Sequence, residues 1–223
     1  MPRARKLSAP NRRRQIIESA RDVFAEQSYA KVGTADLAKA AGLSEPALYR
    51  YFSSKKGLFL ATLQSTGPKL LDVWQEIASD IEDPLDTLWA VGVHYYDHLQ
   101  SHAGNMKIQF QAVSEADDPE IRQALRKNFG AFVRFVAETL DEGKRRGIVR
   151  SDVDSEILAW QFLGIGFTLD LIHLLGFGST FDRGKAEQWA LLYQQMLGAP
   201  RPPGGVGPGV RAVSELAPAP LEV

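Results

Sequence analysis

Between Pro119 and Arg146 the apolar side chains fall at Ile121, Leu125, Phe129, Phe132, Val136 and Leu140. Steps of three and four gather such groups on one face only when the backbone is an α-helix. The same spacing recurs along the chain. Ile16, Ile17, Ala20, Val23 and Phe24 make a stripe within 12–27, and Leu85, Leu88, Trp89, Gly92, Tyr95, Tyr96 and Leu99 make another within 84–102. Further helices are predicted over 34–41, 45–52, 54–65, 105–116, 154–175 and 182–197, with a break at Gly67-Pro68. Asp118-Pro119-Glu120 is a start signal, and Lys144, Arg145 and Arg146 close the same helix before Gly147, where the dipole favours cations. No alternating run of useful length marks a strand, so the expected fold is all-α.

The charge is unevenly spread. Residues 1–60 hold 12 Lys/Arg against 5 Asp/Glu, a net of +7, whereas 61–223 hold 14 against 22, a net of −8. A basic head on an acidic body directs a polyanion to the head. The absence of cysteine excludes disulfides, thiolate nucleophiles and Cys-ligated zinc. Met-Pro-Arg-Ala-Arg-Lys lacks the apolar core of a secretory leader. The stretch 157–178 approaches membrane length but contains Gln161, Asp170 and His173, which predicts a buried helix at a protein interface and no membrane partner. A cytoplasmic location is expected. Residues 1–10 read as a flexible basic arm, and the proline- and glycine-rich 198–223 as a disordered tail.

The stretch VGTADLAKAAGLSEPALYRYFSSKKGLFLATL, from Val32 to Leu63, is the most informative. Thr34 is placed to cap a helix whose Leu37, Ala38 and Ala41 face inward. Gly42 can adopt the left-handed backbone that ends it, Leu43 plugs the turn, and Ser44 caps the next helix. Leu48 and Phe52 anchor that second helix, which leaves Glu45, Ala47, Tyr49, Arg50 and Tyr51 outward. Two short helices about a glycine turn make a helix-turn-helix, and hydroxyls with a guanidinium suit a major groove. Ser53 or Ser54 caps the following helix, whose first residues Lys55 and Lys56 suit a phosphate.

A capping Thr, then Leu-Ala, Ala-Gly-Leu-Ser, Leu-Tyr-Arg-Tyr-Phe and Ser-Lys-Lys, in this order over about residues 12–63, resembles the DNA-binding domain of the tetracycline-repressor (TetR/AcrR) family. The resemblance implies an N-terminal three-helix helix-turn-helix domain (11–65) and a C-terminal helical ligand-binding and dimerisation domain (66–197). It implies a phosphate contact at Thr34, positions at or near bases at Ser44, Glu45, Ala47 and Tyr49, backbone contacts at Tyr49, Arg50 and Tyr51, and a phosphate-binding Lys55. The chain departs from the pattern at Ser28, where a glycine commonly ends the first helix, at Gly33, and at Glu45-Pro46-Ala47.

For the body the resemblance implies a homodimer through 154–175 and 182–197, a palindromic operator in double-stranded DNA, and release by a small molecule. Trp89, Tyr96, Phe110, Phe132, Trp160 and Phe167 are the candidate ligand contacts, and the acidic body favours an apolar, neutral or cationic effector over an anion. No cofactor and no metal are expected. Asp170 and His173, three apart, read as an interfacial hydrogen bond or a solvent-facing stripe. His94, His98 and His102 fall four apart on one face, but the outer two lie about 12 Å apart along a straight helix, too far for one metal. A small metal-dependent hydrolase using His94 and His98 is the competing reading; it lacks a nucleophile motif and a phosphate-binding glycine loop. Regulators of this plan that activate, or that bind a protein in place of a ligand, form a third possibility.

Overall fold

The structure, a computed structural model, describes residues 8–198; most of the expected basic arm and the tail from 199 onward lie outside the described residues. The helices are α1 (Ala9–Glu26), α2 (Thr34–Ala40), α3 (Glu45–Tyr49), α4 (Lys55–Ser79), α5 (Pro84–Asp97), α6 (Leu99–Ser114), α7 (Pro119–Arg145), α8 (Ser155–Leu174) and α9 (Arg183–Leu197), with a 3₁₀ turn at Phe177–Ser179. The described residues contain no strand beyond one isolated bridge, Val149 to Gly198, so the all-α expectation holds.

Side chains start most of these helices. The carboxylates of Asp83, Asp118, Asp154 and Asp182 each accept first-turn amides, satisfying donors that a helix leaves unpaired. Ser8 caps α1, with Pro10 in its first turn. The helix therefore begins before the apolar stripe does, and Ala9 and Pro10 belong to it rather than to the arm.

Four boundaries differ from the sequence expectation. Gly33, not Thr34, caps α2, its N–H donating to the Asp36 carboxylate at 3.2 Å. α3 ends at Tyr49 rather than reaching Phe52. The stripe over 84–102 is two helices, because the His98 ring nitrogen and backbone N–H both turn to the carbonyl of His94 and end α5 there. α4 also runs through Gly67-Pro68 without stopping. Pro68 has no N–H to give and crowds the preceding turn. Around it, the hydroxyls of Ser65 and Thr66 donate to the carbonyls of Thr62 and Leu63, and Asn128 donates to Leu63 at 3.1 Å. These bonds brace the turn before the proline, while the carbonyl that Pro68 leaves without its helical donor is that of Gln64.

The chain packs as two units. One comprises the chain through Leu70 with Ser101–Phe129, the other Leu71–Gln100 with the chain from Gly130 onward; the dividing points fall inside α4, α6 and α7. In the first, Phe24 meets Phe59 edge-on at 5.0 Å, and Ile16, Leu37, Leu63, Ile108 and Ile121 close the core around them. Each such side chain contributes roughly 1.5–3 kcal/mol on burial. In the second, Leu88, Val136, Leu140, Leu158 and Leu197 are buried. There Gln194 donates to the carbonyl of Leu85, and Tyr193 to that of Leu158.

Gly143 in α7 is a close-approach position: a Cβ there would meet Val149 Cγ2 at 2.5 Å and Pro84 Cβ at 3.5 Å. A glycine-to-alanine change inside a helix ordinarily gains about 1 kcal/mol. Here the overlap reverses the sign, so Gly143→Ala is expected to destabilise by about 1–3 kcal/mol in denaturant melts. Adding Val149→Ala should relieve the overlap, giving a double variant less unstable than the two single costs combined.

Candidate DNA-reading head and sensor unit

The head is built on the turn between α2 and α3. Leu37, Ala38 and Ala41 are buried, Gly42 takes φ +63°, and the N–H of Leu43 returns to the carbonyl of Ala38 at 2.8 Å. Leu48, 3% exposed, pins α3 from below. Ser44, Glu45, Tyr49 and Arg50 are left on the surface, while Ala47 is half-buried and Tyr51 packs against the core. The side chain of Ser44 makes no cap bond, so its backbone carbonyl alone opens α3. Ser54 does cap α4, accepting from Gly57.

Thr34 and Glu45, both expected at DNA, touch each other: the threonine hydroxyl donates to the Glu45 carboxylate at 2.7 Å. This bond ties the first residue of α2 to the first of α3 and engages the hydroxyl expected at a phosphate. Lys55 differs more. Its ammonium donates to the carbonyls of Tyr29 and Val32 at 2.9 and 3.1 Å and lies 4.5 Å from the Tyr29 ring centre. Both carbonyls lie in the connection between α1 and α2, outside any helix, and Lys55 supplies their donor. Lys56 is also engaged, pairing with Asp118 at 3.0 Å and Glu120 at 2.8 Å; its ammonium holds the Asp118 carboxyl below the usual range. Exposed positive charge on the head instead comes from Arg13, Arg14, Lys31, Lys39 and Arg50. Arg13, which spacing does not single out, lies 4.5 Å from the Phe52 ring centre.

In the second unit Trp89 and Phe132 are buried. Trp74, another residue that spacing does not single out, packs on Phe132 at 4.9 Å, Phe135 at 5.8 Å and Phe162 at 6.0 Å. Tyr96 donates to the carbonyl of Phe181, and Phe167 is partly buried on α8. Phe110 belongs to the first unit and the other five candidates to the second. Trp160 is 48% exposed and points outward with Ile157, Leu171, Leu175, Phe177, Leu192 and Met196, all large apolar groups left open on α8, the 3₁₀ turn and α9. α8 is long and apolar enough to cross a membrane, with 28% of that span buried within the chain.

Asp170 is neither solvent-facing nor left to an interface. It is 4% exposed and accepts from the Tyr95 hydroxyl at 2.7 Å. Burial pushes its carboxyl up to about 7, against the opposing pull of the Tyr95 bond, and burial together with Asp170 pushes the Tyr95 phenol well above its ordinary value. His94 and His98 stack at 4.1 Å, but His98 ends α5. Among the described residues no group of three or more metal-ligating side chains is assembled.

A short helix presented behind a glycine turn, on an otherwise helical chain, defines a helix-turn-helix DNA-binding regulator. Residues 16–62 match the family described as "Bacterial regulatory proteins, tetR family". The transcriptional activator FasR of Mycolicibacterium smegmatis is 29% identical over 109 residues, 49% of this chain and 50% of that protein, so the match spans half of that relative. The nucleoid occlusion factor SlmA of Vibrio cholerae is 26% identical over 188 residues, 83% of this chain and 96% of the relative. A transcriptional regulator from Saccharomonospora viridis, solved in complex with choline, shares the fold with a TM-score of 0.71 and 21% identity, covering 83% of this chain and 96% of that one. Over residues 16–62 the chain is thus similar to the tetR family, and it is a DNA-binding transcriptional regulator.

Two outcomes follow from these side chains. Lys55→Met should lower the stability of the chain by about 1–3 kcal/mol, since it strands two carbonyls. It should leave the salt dependence of DNA binding unaltered, because a lysine engaged internally releases no counterion. For Asp170, an unfolded aspartate titrates near 3.9, so the folded chain holds the extra proton between about 4 and 7 and loses stability as pH rises through that window. Asp170→Asn should flatten this dependence in melts from pH 4 to 8 and gain about 2–4 kcal/mol at the alkaline end.

Proposed function

We propose that the chain is a homodimeric repressor that reads a palindromic operator and is released from it by a small, largely apolar effector. The observation that carries the dimer is the open apolar face of α8 and α9: Ile157, Trp160, Leu171, Leu175, Leu192 and Met196 are all more than a third exposed. Contiguous apolar surface of this kind mostly marks a partner. A second copy, applied about a two-fold axis, covers it with its own identical face. In this reading α8 meets a protein partner rather than lipid, as suits a regulator acting on DNA in the cytoplasm.

In this reading 11–65 reads DNA and 66–197 senses and dimerises. Ser44, Glu45, Ala47 and Tyr49 meet base edges, Tyr49, Arg50 and Tyr51 meet the backbone, and Thr34 contributes once Glu45 yields its hydroxyl. Lys55 shapes the head rather than binding a phosphate. Trp89, Tyr96, Phe132 and Phe167 line the effector site; Trp160 belongs to the dimer face. The relative fold that holds choline supports a small-molecule effector. Two heads joined by one dimer interface fix the spacing of two half-sites. An effector releases DNA only by binding the DNA-incompetent arrangement more tightly.

Selection from random duplexes, followed by anisotropy titrations, tests this. An enriched palindrome is expected, with Tyr49→Ala weakening it by about 1–3 kcal/mol. Leu192→Glu should shift sedimentation towards monomer and weaken operator binding in step. An enriched site without dyad symmetry, or a Leu192→Glu chain that remains a dimer, would overturn the proposal.

A further inference from the structure

Two donors in the sensor unit have nothing to donate to. Trp74 on α4 is 5% exposed and Trp89 on α5 is 4% exposed, and the indole Nε1 of each is fully buried without a hydrogen-bond partner. An unpaired buried donor costs roughly 1–3 kcal/mol, and native interiors satisfy nearly all such groups. Both belong to the same unit, and each lacks an acceptor.

The surroundings say what kind. Trp74 packs on Phe132 and Phe162. A Cβ built on Gly92, three residues after Trp89 in α5, meets the same Phe162 ring at 4.0 Å, and one built on Gly166 meets Tyr95 at 3.7 Å. Tyr95 in turn donates to Asp170, the buried carboxylate of this unit. Aromatic walls select an apolar frame. Burial already disfavours the charged form of Asp170, and it disfavours a bound anion in the same surroundings. An ammonium centre has no lone pair for an indole N–H, and a hydrocarbon leaves both donors as unpaired as before.

Building on the ligand-responsive reading above, the geometry points to a neutral carbonyl compound as effector: a ketone, ester or amide on an apolar frame, whose oxygen supplies an acceptor that the buried indole N–H groups of Trp74 and Trp89 lack. The indoles are the discriminating groups, because a site built to hydrogen-bond rejects an analogue that cannot.

The test pairs methyl heptyl ketone and cyclododecanone with their exomethylene counterparts, in which a CH₂ group replaces the oxygen, and adds nonanoate and choline. Heteronuclear NMR of the indoles in the full, unsubstituted chain should show two buried N–H signals moving downfield with at least one ketone. That ketone should bind about ten-fold or more tightly than its counterpart, which corresponds to about 1.4 kcal/mol. The preference should vanish in Trp74→Phe/Trp89→Phe, while the NMR result stands without any variant. Equal binding of ketone and counterpart, no ketone binding, tighter binding of choline or nonanoate, or a preference that survives the double substitution would each overturn the assignment. Operator anisotropy in parallel separates the two readings. A selectively bound ketone that leaves DNA affinity unchanged refutes release but keeps the carbonyl assignment. A counterpart that binds as well and releases DNA does the reverse.

Discussion

The ammonium of Lys55 is the tie on which the DNA head depends. It starts α4, yet it donates to the carbonyls of Tyr29 and Val32 in the connection between α1 and α2, so one side chain fixes three helices against each other. The adjacent aromatic cluster of Phe24, Tyr29 and Phe59 packs under that tie. With the α1–α2 connection fixed, α2 has a fixed start, Gly42 turns the chain, and the surface of α3 is defined. The Thr34–Glu45 bond adds a second, weaker link over the same turn. Lysines in a basic head are expected to face the polyanion. Here one holds the frame that lets others do so, which keeps the reading surface in shape before any DNA arrives.

The second unit follows a different logic. Its interior mixes aliphatic and aromatic side chains, and its buried polar groups include the hydroxyls of Thr87, Ser155 and Tyr193, the Asp170 carboxyl with its Tyr95 donor, and two indoles. Charge is expensive there, as the lifted Asp170 carboxyl records. Such an interior adapts poorly to ions and readily to shape. The acidic balance of the body belongs to its surface, and the opposed charges of head and body keep nucleic acid on the former.

Much of this was legible from residue order. Asp118-Pro119-Glu120 announced one helix start, and the Ala-Gly-Leu-Ser turn announced the head, because caps and tight turns are local chemistry. What order alone could not supply were partners brought from far along the chain. Lys55 reads as free charge until Tyr29 and Val32 are seen beside it. α4 reads as two pieces because proline is judged by its neighbours, whereas Asn128, sixty residues on, helps to hold it together. Trp160 was assigned inward because α8 is apolar on every side, so periodicity cannot say which face is covered. Tyr95 and Asp170, separated by 75 positions, meet only through helix packing.

The hydroxyl-served stretch of α4 carries a consequence for how the chain moves. Just after the hydroxyls of Thr62, Ser65 and Thr66 bond back to the helix, Pro68 omits a rung and interrupts the backbone ladder within one long element. Cooperativity along a helix is transmitted by that ladder, so amide protons on either side of residues 62–68 belong to separate opening events, each with its own protection against solvent exchange. The helix is continuous in shape and segmented in free energy. A regulator needs such a seam, because a rod that opens only as a whole reports nothing about which end was disturbed.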